Sequence, residues 1–218
     1  GIAGLEAQYE RQLAGKPGSQ VVTCDPTGKC IKTMSASEPV AGKDVRLTID
    51  RDIQFTAERV LADTVRRYGA KAGSAIVMDP RDGTVLAMAN APTIDANKYG
   101  SRLEHARNRA VTDSFEPGSI FKVVTVAAAL QERLVTPHTK FWLQPQITVG
   151  DRVIKEAHER GAETFTVKRI LAESSNVGAA TLGVRLGRER LKRWFERFGF
   201  GRITGIGFPY ESTGILPG

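Results

Sequence analysis

The run Phe115-Glu116-Pro117-Gly118-Ser119-Ile120-Phe121-Lys122 carries a loop into a helix and sets a hydroxyl beside an amine. Pro117 and Gly118 mark a turn. Residues 120–130 are apolar almost all round, with Val123, Val124, Val126 and three alanines, which predicts a buried helix beginning at Ser119. On that helix Ser119 and Lys122, three residues apart, share one face. At a helix N-terminus, free N–H groups and the helix dipole favour the negative charge that develops on Ser119's attack at a carbonyl. Lys122, surrounded by Phe121, Val123 and Val126, is expected to have its pKa lowered by desolvation, so that a neutral amine serves the serine as general base. The plain alternative is an ordinary helix start, with serine as cap and lysine reaching for water. Ten serines and 11 lysines in 218 residues give about 0.5 chance matches to Ser-x-x-Lys, so the spacing alone is weak. What favours chemistry is the apolar helix, which leaves Lys122 few routes to solvent.

A second polar element, Ser174-Ser175-Asn176, falls between two predicted helices, where short side chains point out of the turn. With four asparagines, about 0.2 matches to Ser-x-Asn arise by chance, and a helix C-cap followed by an N-cap explains the element equally well when it stands alone. Together with Ser119 and Lys122 it gains a role. Ser174 can relay a proton to a leaving amine, and the Asn176 amide can hold both Lys122 and a substrate peptide carbonyl.

Outward from these elements, residues 167–172, 177–186 and 189–198 read as three short helices, and residues 141–154 as extended and irregular. Toward the N-terminus, residues 91–112 read as a long loop with short helical turns. Residues 74–78 and 84–89, either side of Asp79-Pro80-Arg81-Asp82-Gly83, read as an antiparallel hairpin. Asp50 is a candidate N-cap for a long helix with Ile53, Ala57, Val60, Leu61, Thr64 and Val65 at helical spacing, stopped by Gly69. Residues 1–45 are rich in Gly, Lys, Ser and Thr and read as the end of a smaller domain. There Cys24 and Cys30 flank Asp25-Pro26-Thr27-Gly28-Lys29, a turn that sets the two thiols across a hairpin. The tail from residue 203 reads as a Gly and Pro loop.

The chain has 41% hydrophobic and 25% charged residues, the balance of a protein with a real core. No run approaches the roughly 18 apolar residues that span a bilayer, and no signal segment opens the sequence, so any membrane anchor is expected outside this chain. The net charge of +7 does not indicate nucleic acid. Its densest basic stretch, residues 185–202, also holds Leu191, Trp194, Phe195 and Phe198 at helical spacing, so the charges read as the solvated back of an amphipathic helix. His105, His138 and His158 match no zinc spacing, and neither a metal nor another cofactor is expected.

Ser-x-x-Lys followed by Ser-x-Asn is the motif pair of penicillin-binding proteins and class A β-lactamases. The segment from Phe115 to Lys122 resembles the active-site segment of class B penicillin-binding proteins almost letter for letter. Gly4-Leu5-Glu6 with Tyr9-Glu10 resembles the end of that family's pedestal, and Leu47-Thr48-Ile49-Asp50 the entry to its transpeptidase domain. Residues 79–91, Arg107-Asn108-Arg109-Ala110 and Phe198-Gly199-Phe200-Gly201 with Thr204-Gly205 are similar too, so the resemblance covers nearly the whole chain. It implies an α+β fold, helices packed on an antiparallel sheet, with residues 1–45 as the C-terminal part of an N-terminal pedestal and residues 46–218 as the front of a transpeptidase domain. It implies Ser119 as the acylated serine, Lys122 as its base, and Ser174 and Asn176 as the second motif. Peptidoglycan stem peptides are then the substrate and β-lactam antibiotics the inhibitors. A membrane glycosyltransferase and division proteins are the expected partners, and nucleic acid is not one. The expected place is outside the cytoplasm, at the outer face of the cell membrane or in the periplasm, anchored by an N-terminal segment absent from this chain. In that oxidising setting Cys24 and Cys30 are expected to pair. Glu116 and residues 109–113 resemble the septal-division branch more than the elongation branch.

The family's third motif, Lys-Ser/Thr-Gly, occurs nowhere in the 218 residues. It borders the oxyanion hole, so this chain by itself is expected to acylate poorly until that strand is supplied. Two rival readings are a non-catalytic scaffold that docks wall-synthesis proteins and a serine β-lactamase. The second has no arguable deacylating Glu in its favour.

Overall fold

Asp50 begins the first long helix, as its sequence position predicts. Its carboxylate accepts from the backbone N–H groups of Asp52 and Ile53, both at 3.0 Å, and so caps α3 (Arg51–Arg67). The computed structural model describes residues 3–94 and 107–216, and contacts divide it into two units, Gly1–Asp113 with Gly205–Ser212 and Ser114–Thr204 with Thr213–Gly218.

In the first unit, residues 4–13 form two short helical turns, α1 (Gly4–Gln8) and α2 (Glu10–Leu13), which the sequence pattern did not foretell. The antiparallel ribbon β1 (Ser19–Cys24) and β2 (Cys30–Ser37) follows, with Cys24 opposite Cys30 and a disulfide joining them. Asp25 folds the turn by accepting from Thr27 N, Thr27 Oγ1 and Lys29 N, and these bonds hold its carboxyl below the usual range. Every residue of the ribbon is exposed, so the disulfide and turn stand in for a core.

Helix α3 turns Ile53, Ala57, Leu61 and Val65 inward as half-buried residues, but Val60 and Thr64, read as part of that face, are exposed. The reason is that the inward stripe is narrow and includes a polar residue. Gln54 donates to Met88 O at 3.1 Å and accepts from Met88 N at 2.7 Å. It thereby satisfies one outward-facing residue of the hairpin β3 (Gly73–Met78) and β4 (Val85–Ala91), as a third strand would. Asp50 N adds a bond to Leu86 O at 2.9 Å. Alternate residues Ala87, Ala89 and Ala91 are buried. Of the loop read over 91–112, residues 95–106, with His105, lie outside the described residues. A single helical turn, α4 (Arg109–Thr112), is tied to the hairpin through Asn90, which accepts from Ser74 Oγ and Ala110 N and donates to Asn108 Oδ1.

In the second unit a 3-10 turn, Gly118–Ile120, runs into α5 (Phe121–Gln131). Ser119 therefore stands in the turn before the helix rather than at the helix's first residue. Ile120 and Val123 are exposed, while Val124, Val126, Ala128 and Ala129 are buried. The apolar helix is thus enclosed along most of its length and open where Ser119 enters it.

Residues 141–154 are not irregular. They hold β5 (Lys140–Leu143), the hairpin β6 (Gln146–Val149) and β7 (Arg152–Lys155), and β5 pairs with a later strand, β8 (Glu163–Thr166). Each strand is four residues long, Pro145 and Gly150 interrupt the alternation, and the partner of β5 is some twenty residues away, so no local period announces them. α6 (Val167–Ala172), α7 (Asn176–Leu186) and α8 (Arg188–Arg197) fall where periodicity puts them. Phe165, Val167, Ile170, Val177 and Leu182 are the largest fully enclosed side chains. α6 and α7 meet at Gly178, where a Cβ would lie 2.6 Å from Ile170 Cγ1. On α8 the charged residues other than half-buried Glu196 are exposed and Trp194 is buried, its indole N–H donating to Glu132 Oε1 at 2.9 Å. Phe198, read as part of the same apolar face, is instead 48% exposed, because it caps the helix where the core has ended.

Candidate active site

The approach to α5 is set by backbone and aromatic packing. Gly118 has φ +57°, a conformation that a side chain would strain, and it aims the next residue outward. Ser119 is exposed there. On the helix side, the Phe121 ring lies 4.6 Å from the rings of both Phe195 and Phe200, which helps to fix the first turn.

Lys122, one residue further, is half-buried. Its amine donates to three oxygens: Ser174 O, Ser174 Oγ at 3.0 Å and Asn176 Oδ1 at 2.5 Å. Burial lowers its pKa from the ordinary lysine value, and the charge of Glu156 works in the opposite direction. Three of the four residues picked from the sequence are therefore joined around one nitrogen. Ser119 is beside them in the chain but, among the described residues, no hydrogen bond joins it to the other three.

Ser174 reaches Lys122 because of how α6 ends. Ser174 N donates to Leu171 O and Ser175 N to Ile170 O, the paired bonds of a Schellman ending, with Ser174 at the left-handed position, φ +53°. Glycine usually occupies that position, and a serine there costs on the order of 1–3 kcal/mol. Ser175 is then the N-cap of α7, accepting from Gly178 N at 2.9 Å. The capping explanation thus holds for this turn, and the same turn also brings Ser174 and Asn176 to Lys122.

One member escaped the sequence reading. Glu156, just beyond β7, accepts from Ser175 Oγ at 2.6 Å, from Asn176 N at 2.8 Å and from Arg160 Nη2 at 2.6 Å. Burial alone would raise its pKa, but these donors more than offset burial and hold the carboxyl below its ordinary range. In the run Lys155-Glu156-Ala157-His158-Glu159-Arg160 nothing local separates this acid from a solvated charge; the only clue is the i,i+4 spacing to Arg160. Asn176 Nδ2 donates to Lys155 O at 2.8 Å, which turns the amide oxygen toward Lys122. Among the described residues no group of three or more His, Cys, Asp or Glu is placed to hold a metal, and His138 and His158 are exposed.

A serine at a helix entrance, a desolvated lysine and a Ser-x-Asn turn bound to that lysine can together carry acyl transfer. The chain is similar to known proteins over its whole length. The family model for the penicillin-binding protein transpeptidase domain matches residues 73–218, and that for the penicillin-binding protein dimerisation domain matches residues 1–47. Penicillin-binding protein PbpB of Mycolicibacterium smegmatis is 35% identical over all of this chain and 34% of its own length. Peptidoglycan D,D-transpeptidase FtsI of Escherichia coli is 34% identical over all of the chain and 37% of its own. The chain thus spans about a third of the length of these curated relatives. The crystal structure of penicillin-binding protein 3 from Mycobacterium tuberculosis, complexed with ampicillin, matches all of the chain and 45% of its own with a TM-score of 0.85 at 33% identity. The chain accordingly belongs to the penicillin-binding protein transpeptidase family, in its class B form, where a dimerisation domain precedes the transpeptidase domain.

Proposed function

We propose that this chain carries the acylating residues of a peptidoglycan D,D-transpeptidase. Ser119 Oγ attacks the carbonyl of the D-Ala-D-Ala amide in a stem peptide and gives its proton to neutral Lys122. The tetrahedral oxyanion is held in part by Ser119 N–H. The C–N bond breaks, a proton relayed from Lys122 through Ser174 reaches the leaving nitrogen, and D-Ala departs. The amine of a neighbouring stem then attacks the acyl-enzyme, forming the cross-link and freeing Ser119. Asn176 holds Lys122 and offers its amide to the substrate backbone. The observation that carries this reading is the Lys122 amine bound at once to Ser174 and Asn176, 52 and 54 residues away in sequence.

β-Lactams, mimicking the amide, acylate the same serine. The resemblance of Glu116 and residues 109–113 supports a septal role, with a membrane glycosyltransferase and division proteins as partners, and the Cys24–Cys30 disulfide supports a site outside the cytoplasm. The boundary between pedestal and transpeptidase falls near residue 46. The Gln54 bonds to Met88, which tie α3 to the hairpin, support that division.

The test is fluorescent-penicillin labelling of the full-length protein. A stable covalent band that disappears in Ser119→Ala is expected. An unlabelled native protein would favour the scaffold, and rapid turnover of nitrocefin the β-lactamase.

A further inference from the structure

The acyl-transfer scheme leaves Glu156 without a task, yet this carboxylate beside the site is well enclosed, its side chain 9% exposed. Both of its oxygens are engaged. Oε1 receives Ser175 Oγ and Arg160 Nη2, both at 2.6 Å, and Oε2 receives Asn176 N at 2.8 Å. Arg160 is itself fixed, donating to Gly161 O at 3.0 Å with its guanidinium 4.7 Å from the centre of the buried Phe165 ring.

Asn176 is the first residue of α7, and its N–H has no acceptor within the helix. Ser175 Oγ already serves Gly178 N, so two of the first turn's donors are answered by two different acceptors, and Glu156 supplies the second while also gripping Ser175. With its backbone nitrogen pinned to Glu156 and Nδ2 donating to the carbonyl of the preceding Lys155, Asn176 has one direction left for its amide oxygen, toward Lys122. Ser174 is the residue on the other side of Ser175, held at a backbone conformation that persists only when its neighbours are fixed.

We infer that Glu156 is a positioning residue for the acyl transfer proposed above: by holding Ser175 and the Asn176 backbone, it fixes the turn that presents Ser174 and Asn176 to Lys122. The inference rests on that reading for its kinetic consequence but not for its geometric one. Displacing such groups by about 1 Å costs on the order of 10²-fold in rate.

The test compares native full-length protein with Glu156→Gln, Glu156→Asp, Asn176→Ala and the Glu156→Gln/Asn176→Ala double variant, by fluorescent-penicillin acylation rate and by crystal structure. Glu156→Gln is expected to acylate roughly 10- to 100-fold more slowly and to lose the Lys122–Asn176 hydrogen bond, Glu156→Asp to recover part of the rate, and Glu156→Gln to add little in the Asn176→Ala background. A native rate in Glu156→Gln, or full additivity of the two changes, overturns the inference while leaving Ser119 as nucleophile. If Glu156→Gln fails to fold, Glu156→Asp decides by the same two readouts. If the native protein acylates nowhere, the transpeptidase reading falls, and the Lys122–Asn176 distance still decides the positioning role: lost in the Glu156 variant it stands, retained it does not.

Discussion

At the scale of single residues, the proposed chemistry turns on what burial does to the Lys122 amine. Burial lowers the Lys122 pKa; Glu156, whose own charge is matched by Arg160, raises it, and burial prevails. Because the base form is the neutral one, acylation should rise with pH and level off at a midpoint below that of an ordinary lysine, near 10.4. A midpoint at or above that value would speak against Lys122 as base. Lys122→Ala should slow acylation by about 10² to 10⁴ while the protein still folds, the loss of its bonds to Ser174 and Asn176 lowering the melting temperature only modestly. Glu156 titrates with the opposite sign. Its folded pKa is depressed, so the stability it contributes is present above the ordinary carboxylate range and is lost as pH falls through it. Glu156→Gln should therefore cost roughly 1.5–3 kcal/mol near pH 7, the worth of a hydrogen bond to a charged group, and progressively less toward pH 3. Thermal melts of both proteins across that range check it, and a gap that widens on acidification would be the wrong sign. The meeting of Lys122 with Ser174 and Asn176 was legible in the sequence because each belongs to a short motif. Glu156 was not, because its partners come from a turn some twenty residues away.

At the scale of elements, α3, α5, α6, α7 and α8 follow from apolar spacing and caps, since each helix is closed by its own neighbours in sequence. The four strands of the second unit were hidden, since β5 needs β8 and neither carries a period long enough to see. Tertiary contact also explains the two misplaced faces: Gln54 took a core-facing position on α3 by pairing with Met88, and Phe198 lost one by standing at the end of α8. α6 and α7 approach each other closely at Gly178, which packs against the fully buried Ile170. Gly178→Ala should destabilise by about 1–3 kcal/mol despite alanine's better helix propensity, because the new methyl displaces Ile170 from a packed site. Denaturant melts measure it; an unchanged or raised midpoint would mean that Ile170 moves freely. By pushing α7 from α6, the same change should also slow acylation.

At the scale of the whole molecule, the two matched domains, the disulfide-closed ribbon and the Ser119 site agree on one family. Its third motif, Lys-Ser/Thr-Gly, is found nowhere in these 218 residues, and the chain spans about a third of its curated relatives. The β3–β4 hairpin exposes Ile76, Val77 and Met78, an apolar strand suited to further pairing. The 218-residue chain by itself should label with penicillin about 10² to 10³ more slowly than a longer polypeptide that includes the third motif, the cost of one missing oxyanion donor. Equal rates would mean that a residue within the chain completes the oxyanion hole. The most direct measurement of the central claim is mass-spectrometric mapping of the penicillin adduct on the full-length protein. The adduct should reside on Ser119 alone, and its recovery on any other residue would contradict the assignment of the nucleophile.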